Sequence, residues 1–421
     1  MSLIVEEMKD GASHAQCPEP LYPVEVISDV RRDGLPQYYW RADDPTSPPN
    51  NYAGFGLTNG YSTYSCARGD WIHAVGTSPG IGVLYESQIS PSGFEYQTFR
   101  LTPIGESNTP RIYDDEAHAL IDGKYGTNQW LARHDLALSK DIAKIDLGMP
   151  VEIDHHSNCD NVGWYQPYWT DSRNKLWVYD WQQNKPLGPI DIRFAQYEIS
   201  PLGNWLRGGK SGLNRFYELP MLIDSAECPS TTQDHSGWSF DIHGREVFVS
   251  KDSSRDMYYL FIPDIDYSVR VDLFSHKLLD WTNHHVASIT NPALKGWTLL
   301  STYSQNTRWS DNQLLLVELV PNGRVIRLGN HGVQWWQGTK ERSYFCEAWA
   351  SVDYEGRYIY WGSNDRGTRN LELVRMRIPD EALELMGWKA APVEPPLPEP
   401  IWSPVPLLCR VINGNIEWKL Q

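Results

Sequence analysis

One internal repeat constrains this chain more than any other feature. HSGWSFDIHGREVFVSK (His235 to Lys251) lies over EAWASVDYEGRYIYWGS (Glu347 to Ser363) at a constant offset of 112 residues, so Asp241 matches Asp353, Gly244 matches Gly356 and Arg245 matches Arg357. Each copy reads as a strand, an Asp-x-x-Gly turn, a second strand of aromatic and β-branched residues, a further turn and a third strand, MYYLFIP or LELVRMRIP. A supersecondary unit of this size cannot bury its apolar faces alone and must stack on its neighbours. The offset leaves room for one further unit between the two copies, at about fifty to sixty residues each.

Looser copies extend the pattern. GWYQPYWTDSRNKLWVYDW (Gly163 to Trp181) has Asp171 and Asn174 at its turn, and GWTLLSTYS followed by NQLLLVELVPNGRVIRLG (Gly296 to Gly329) reads as second, third and fourth strands. WIHAVG, GVLYESQI and FEYQTFRL (Trp71 to Leu101), then QWLARHDLALS and AKIDLG (Gln129 to Gly148), alternate with period 2. The 19 Trp, 23 Tyr and 10 Phe beside 32 Gly and 29 Pro suit many short strands joined by tight turns. Helical patterning is confined to PDEALELMGW (Pro379 to Trp388), with Pro at its start and acids in its first turn.

The expected fold is therefore all-β: a β-propeller of about seven blades, with an N-terminal arm and a C-terminal helix plus Pro-rich tail. Residues 1–60, Pro- and Asn-rich with the strand-like PVEVISDV (Pro23 to Val30), read as the arm and a partial blade, and 61–379 as the propeller body. Residues 380–421 read as the short helix, the spacer APVEPPLPEP and a terminal hairpin turning at Asn413-Gly414.

Charge and motifs narrow the function classes. With 37 Lys and Arg against 53 Asp and Glu the net charge is −16, which repels a phosphate backbone and argues against a nucleic-acid partner. No apolar run reaches the length of a membrane span, and MSLIVEEMKDGASH carries acids where an export signal carries bases. The expectation is no membrane association, and a cytoplasmic or virion-associated protein unless a signal has been removed. The six cysteines form no CxxC pair and read as buried free thiols. GGKS lacks the leading Gly of a P-loop, and there is no Gly-x-Ser-x-Gly elbow.

The S-x-D-x-x-G-R-x-hydrophobic-x-hydrophobic-x-S pattern around Asp241 and Asp353 resembles the repeat of TolB-like propellers and of oligogalacturonate lyases, which are seven-bladed enzymes. In those lyases, His and other polar side chains just before the innermost strands line the mouth of the central channel and hold a metal ion and the acidic sugar. The resemblance implies the same place here for Asp234-His235, for Glu347 and for His284-His285. The His-x-His pair those lyases use for their metal is absent, so a divalent ion would fall to Asp234, His235, His284 and His285.

Chemistry gives these residues two alternative jobs. Eliminating a glycosidic bond beside a uronate needs a base for the C5 proton and a positive group for the carboxylate-derived enolate, which points to His235, His285 and Glu347 as catalytic. Hydrolysis by a carboxylate pair such as Asp234 and Glu347 is the other enzymatic option. The same side chains also suit a purely structural role, locking blades by hydrogen bonds. His155-His156 likewise precedes a blade. Trp335, Trp336, Tyr165 and Trp169, together with Tyr38 to Trp40, supply flat faces for stacking on pyranose C–H groups, or else for packing between blades.

Two readings of the whole follow. One is a carbohydrate-active propeller, a polysaccharide lyase or glycoside hydrolase on an oligo- or polysaccharide. The other is a non-enzymatic structural or receptor-binding platform of virion or phage type, forming a homo-oligomer or assembling through its C-terminal tail.

Overall fold

The computed structural model describes residues 5–6, 20–26, most of 71–389, and the strands at 407–412 and 415–420; the longest stretches outside this description are 7–19, 27–70, 153–163, 334–347 and 390–406. Among the described residues of the first 390 positions, seven antiparallel sheets follow one another at 71–105, 111–146, 151–190, 196–230, 237–275, 283–330 and 351–377. We number them blades one to seven. Within each of these ranges the strands pair in chain order, so each is a meander, to which N-terminal strands are added in blades six and seven. The protein is an all-β propeller.

Both N-terminal strands join the end of the chain. Blade seven supplies Ser351–Val352, Tyr358–Ser363 and Glu372–Arg377 and takes its fourth strand from Val24–Val26, with Glu25 opposite Arg375. The Arg375 guanidinium donates to the Glu25 carboxylate at 2.5 Å across this seam. Val5–Glu6 adds a fifth strand to blade six, opposite Ile326 and Val325. Pairing the first residues with the last blades occupies strand edges that would otherwise offer unpaired backbone groups.

The two matched turns fold alike because their Asp and Gly do the same work. Asp241 Oδ1 accepts from the backbone N–H of His243 and Arg245, both at 2.9 Å, and Asp353 Oδ1 accepts from those of Arg357 at 2.6 Å and Tyr358 at 2.9 Å. Gly244 and Gly356 adopt left-handed φ of +82° and +70°, where an L side chain is strained. The looser copy at Gly163 to Trp181 differs in register. Its hairpin, Tyr165–Thr170 with Leu176–Asp180, forms the second and third strands of blade three, after Val151–Glu152. A hairpin looks the same from sequence at any place in a meander, so the pattern located the pair but not its rank.

Packing between blades is apolar and aromatic. Val247, Val249, Leu260, Val286, Leu300 and Leu315 fill the joint between blades five and six, and Trp361 joins Leu316, Leu328 and Met376 between six and seven. Each such buried side chain contributes roughly 1.5–3 kcal/mol of transfer free energy. Helix α1, Asp380–Met386, begins after Pro379, ends at Gly387 with φ +71°, and buries Ala382, Leu383 and Met386 in that second cluster. The chain divides into two compact units, Met1–Ala390 and Ala391–Gln421, so α1 belongs with the blades. The second unit contains the expected hairpin, Leu407–Ile412 against Asn415–Leu420.

Cys228 is a buried free thiol whose pKa burial pushes up to about 11. The side chains of the other five cysteines lie outside the described residues. Among the described residues no helix is long and apolar enough to cross a membrane.

Candidate functional site

The first strands of blades five and six touch directly. Ile289 N–H donates to Trp238 O at 2.8 Å, Trp238 N–H to Ser288 Oγ at 3.1 Å, and Val286 N–H to His235 O at 3.3 Å. Gly237 makes this approach possible: a Cβ there would stand 2.8 Å from the Val286 carbonyl oxygen. The contact places His235, which precedes Gly237–Phe240, against His284 and His285 in Asn283–Ala287. Their numbers differ by about fifty, yet their rings meet.

His235 Nδ1 lies 3.0 Å from His285 Nδ1, a hydrogen bond in which one ring donates and the other accepts. The rings are 4.5 Å apart by centroid, and His285 stacks on Tyr303 at 4.9 Å with 23° between planes. His285 is 3% exposed, whereas His235 is only half-buried and is the more exposed residue of the pair.

Behind this pair the apolar joint turns polar. On blade five, Lys251 and Tyr258 are directly opposed across strands Glu246–Asp252 and Met257–Ile262, so both project from one face of the sheet. That face is the one that Val249 and Leu260 turn into the core shared with blade six. Tyr258 Oη lies 2.7 Å from His284 Nδ1, and the His276 ring is 5.6 Å from Tyr258 and 6.2 Å from His284. Burial raises the Tyr258 pKa well above its ordinary value, so the hydroxyl keeps its proton. Burial first, then the charges of Lys251 and the neighbouring histidines, holds the His284 pKa well below the usual imidazole value. Lys251 is itself lowered, chiefly by burial, against a raising influence from Asp256.

His331 shows what a wholly structural histidine looks like in this fold. It is buried, its Nε2–H donates to Thr302 O at 2.8 Å, and its Nδ1 accepts from Val333 N–H at 3.1 Å. Burial lowers its pKa to about 4, so the ring is neutral and both nitrogens are occupied. His284 differs: its Nε2 is buried and has no hydrogen-bond partner. Reading the sequence for residues just before first strands could not have found His276, Lys251 or Tyr258, which lie at other strand ends of blade five.

The remaining expected site residues divide cleanly. Asp234, Glu347, Trp335, Trp336, His155, His156 and Tyr38 to Trp40 lie outside the described residues. Trp169 is described only as backbone, opposite Glu152 and Leu176. Tyr165 is 8% exposed and packs with Leu176, Val178 and Tyr197 in the core between blades three and four.

A metal finds no ready seat among the described residues. No three His, Cys, Asp or Glu side chains converge to hold an ion, and His284 Nδ1 is taken by Tyr258.

No protein-family model matches the chain, and no curated protein matches its sequence. Solved structures do resemble it. An oligogalacturonate lyase in complex with manganese aligns over 82% of this chain and 97% of its own, at 12% identity and a TM-score of 0.51. The oligogalacturonate lyase of Vibrio parahaemolyticus aligns over 87% and 100%, at 10% identity and 0.50. The WD40 domain of Toxoplasma gondii coronin aligns over 78% and 85%, at 10% identity and 0.47. At these identities the likeness to the two lyases is one of fold, and it agrees with the all-β propeller.

Proposed function

We propose that this propeller acts on a uronate-containing glycan by β-elimination, at the His235–His285 end of blades five and six. The observation that carries this reading is the Nδ1-to-Nδ1 hydrogen bond of the more exposed His235 to a buried, Tyr303-stacked His285. With the proton on His235 Nδ1 donated to His285 Nδ1, His235 Nε2 presents its lone pair. It takes the C5 proton of the uronate; the C5–H electrons form the C4=C5 double bond as the C4–O bond breaks, and the departing oxygen takes a proton from solvent. His285 then stabilises the imidazolium through the same hydrogen bond. His285 acts as the positioning residue and His235 as the base, with Glu347 the remaining candidate acid. The oligogalacturonate lyases of like fold support the substrate class.

The test incubates the protein with a panel of uronate-containing polysaccharides and follows the ultraviolet absorbance of unsaturated products. H235A is expected to lower kcat by about 100-fold or more, the range for a lost general base, with little change in Tm. H285A is expected to lower kcat less and to shift the alkaline or acidic limb of the pH–rate profile. No product from any polymer, or a Tm collapse in H235A, overturns the assignment. Metal analysis of protein purified without an affinity metal runs alongside. A stoichiometric divalent ion lost in H235A would assign Asp234, His235, His284 and His285 to that ion.

The second reading, a non-enzymatic platform, draws on the separate C-terminal unit with its hairpin. Deleting 391–421 would then lower the molar mass measured by light scattering. An unchanged mass removes that support.

A further inference from the structure

Two buried residues of the joint between blades five and six, Lys251 and His284, carry donors with no acceptor among the described residues, and of these donors His284 Nε2 is the one fully shut off from solvent. Lys251 is 8% exposed and its side chain has no hydrogen-bond or ion-pair partner among the described residues; the carboxylate that acts on it electrostatically, Asp256, makes no ion pair with it. An ammonium on a residue this buried has given up part of its hydration and gains no ion pair in return. The second donor follows from the Tyr258–His284 contact. A phenol is a better donor than an imidazole N–H, and imidazole nitrogen a better acceptor than phenol oxygen, so at 2.7 Å the hydroxyl donates to Nδ1. The His284 proton then sits on Nε2, which is buried and unpartnered.

Native folds satisfy buried donors, and exceptions need an explanation. A cation and an N–H donor that both meet Tyr258, Lys251 as its cross-strand partner and His284 at its hydroxyl, match a carboxylate: one negative charge and two acceptor oxygens. We infer that Lys251 and His284 form a carboxylate-binding subsite, entered past His235, that holds the acidic group of the substrate. This inference rests on the elimination reading for the identity of the ligand. The chemistry agrees with it. The same ammonium would steady the charge that develops on the carboxylate as the C5 proton leaves for His235.

The experiment measures binding by calorimetry to a short uronate oligosaccharide and to its methyl ester, with acetate as a minimal anion followed by thermal shift. Wild type is expected to bind the acid at least tenfold more tightly than the ester, and K251M, which keeps the aliphatic stem, to lose that preference while binding the ester as before. K251Q serves where K251M does not fold. A preference that survives in K251M or K251Q overturns the subsite and leaves the His235 chemistry standing. If wild type binds neither oligosaccharide, the glycan reading fails and acetate decides the subsite alone. A rise in Tm with acetate that disappears in K251M supports it, and an equal rise or no rise in both proteins overturns it.

Discussion

Blades five and seven carry the same turn sequence and differ in what one residue inside it does. In blade five the turn reads Asp-Ile-His-Gly-Arg, and Arg245 closes on Asp241, with Nε at 2.8 Å and the terminal nitrogen at 2.7 Å from Oδ2. In blade seven it reads Asp-Tyr-Glu-Gly-Arg, and Arg357 instead faces Glu355 at 3.7 Å. Asp353 is left with backbone N–H partners, and burial, with Glu355 adding to it, raises its pKa to about 7. The lesson is that a repeat conserves backbone geometry through its Asp and Gly while the intervening residue sets the electrostatics.

The largest expected effect comes from neutralising each aspartate in turn. Because the folded Asp353 pKa lies above the unfolded value, the stability it contributes is complete below about pH 4 and is lost as pH rises through about 7. D353N should therefore leave stability at pH 4 unchanged and raise it by roughly 2–4 kcal/mol at pH 8, read from denaturant unfolding at both pH values. D241N should go the other way at pH 8, losing up to ~1 kcal/mol with a half-exposed ion pair. Equal signs for the two substitutions would dissolve the distinction.

The glycines sharpen it further. A Cβ at Gly356 would meet Leu294 Cδ2 at 2.5 Å within the packed core of blades six and seven, whereas at Gly244 the nearest atom is Lys295 Cδ at 3.8 Å. Both positions add the left-handed strain of roughly 1–2 kcal/mol. G356A is expected to cost about 3 kcal/mol in all, and G244A about half of that, compared by thermal melts. Similar losses would mean that Leu294 yields. The smallest effect belongs to E355Q. Removing the competing carboxylate should let Arg357 turn to Asp353 and carry the titration midpoint of Asp353, followed by NMR, down by about 1 unit.

The propeller was legible because its evidence is local and repeated. The Asp-x-x-Gly turns, the alternating strands and the helix at Pro379 are short-range patterns, and each appears where its residues predict. The site was legible in part. His235, His284 and His285 stood out as polar residues placed before or within first strands, but nothing in their spacing reveals which ring pairs with which. The burial of Tyr165 was not legible, because an aromatic residue that packs between blades and one that stacks on a sugar have the same sequence signature.

What this chain determined by itself is the repeating unit: backbone dihedrals and side-chain alternation depend on neighbours a few residues away, so composition and spacing suffice for them. Tertiary structure decided the rest. The closure of blade seven by Val24–Val26, the meeting of His235 with His285 and the isolation of Lys251 beside His284 all join residues far apart in the chain. Burial is a property of the assembled joint between blades, and burial is what separates a neutral His284 and an unpartnered Lys251 from ordinary surface charges.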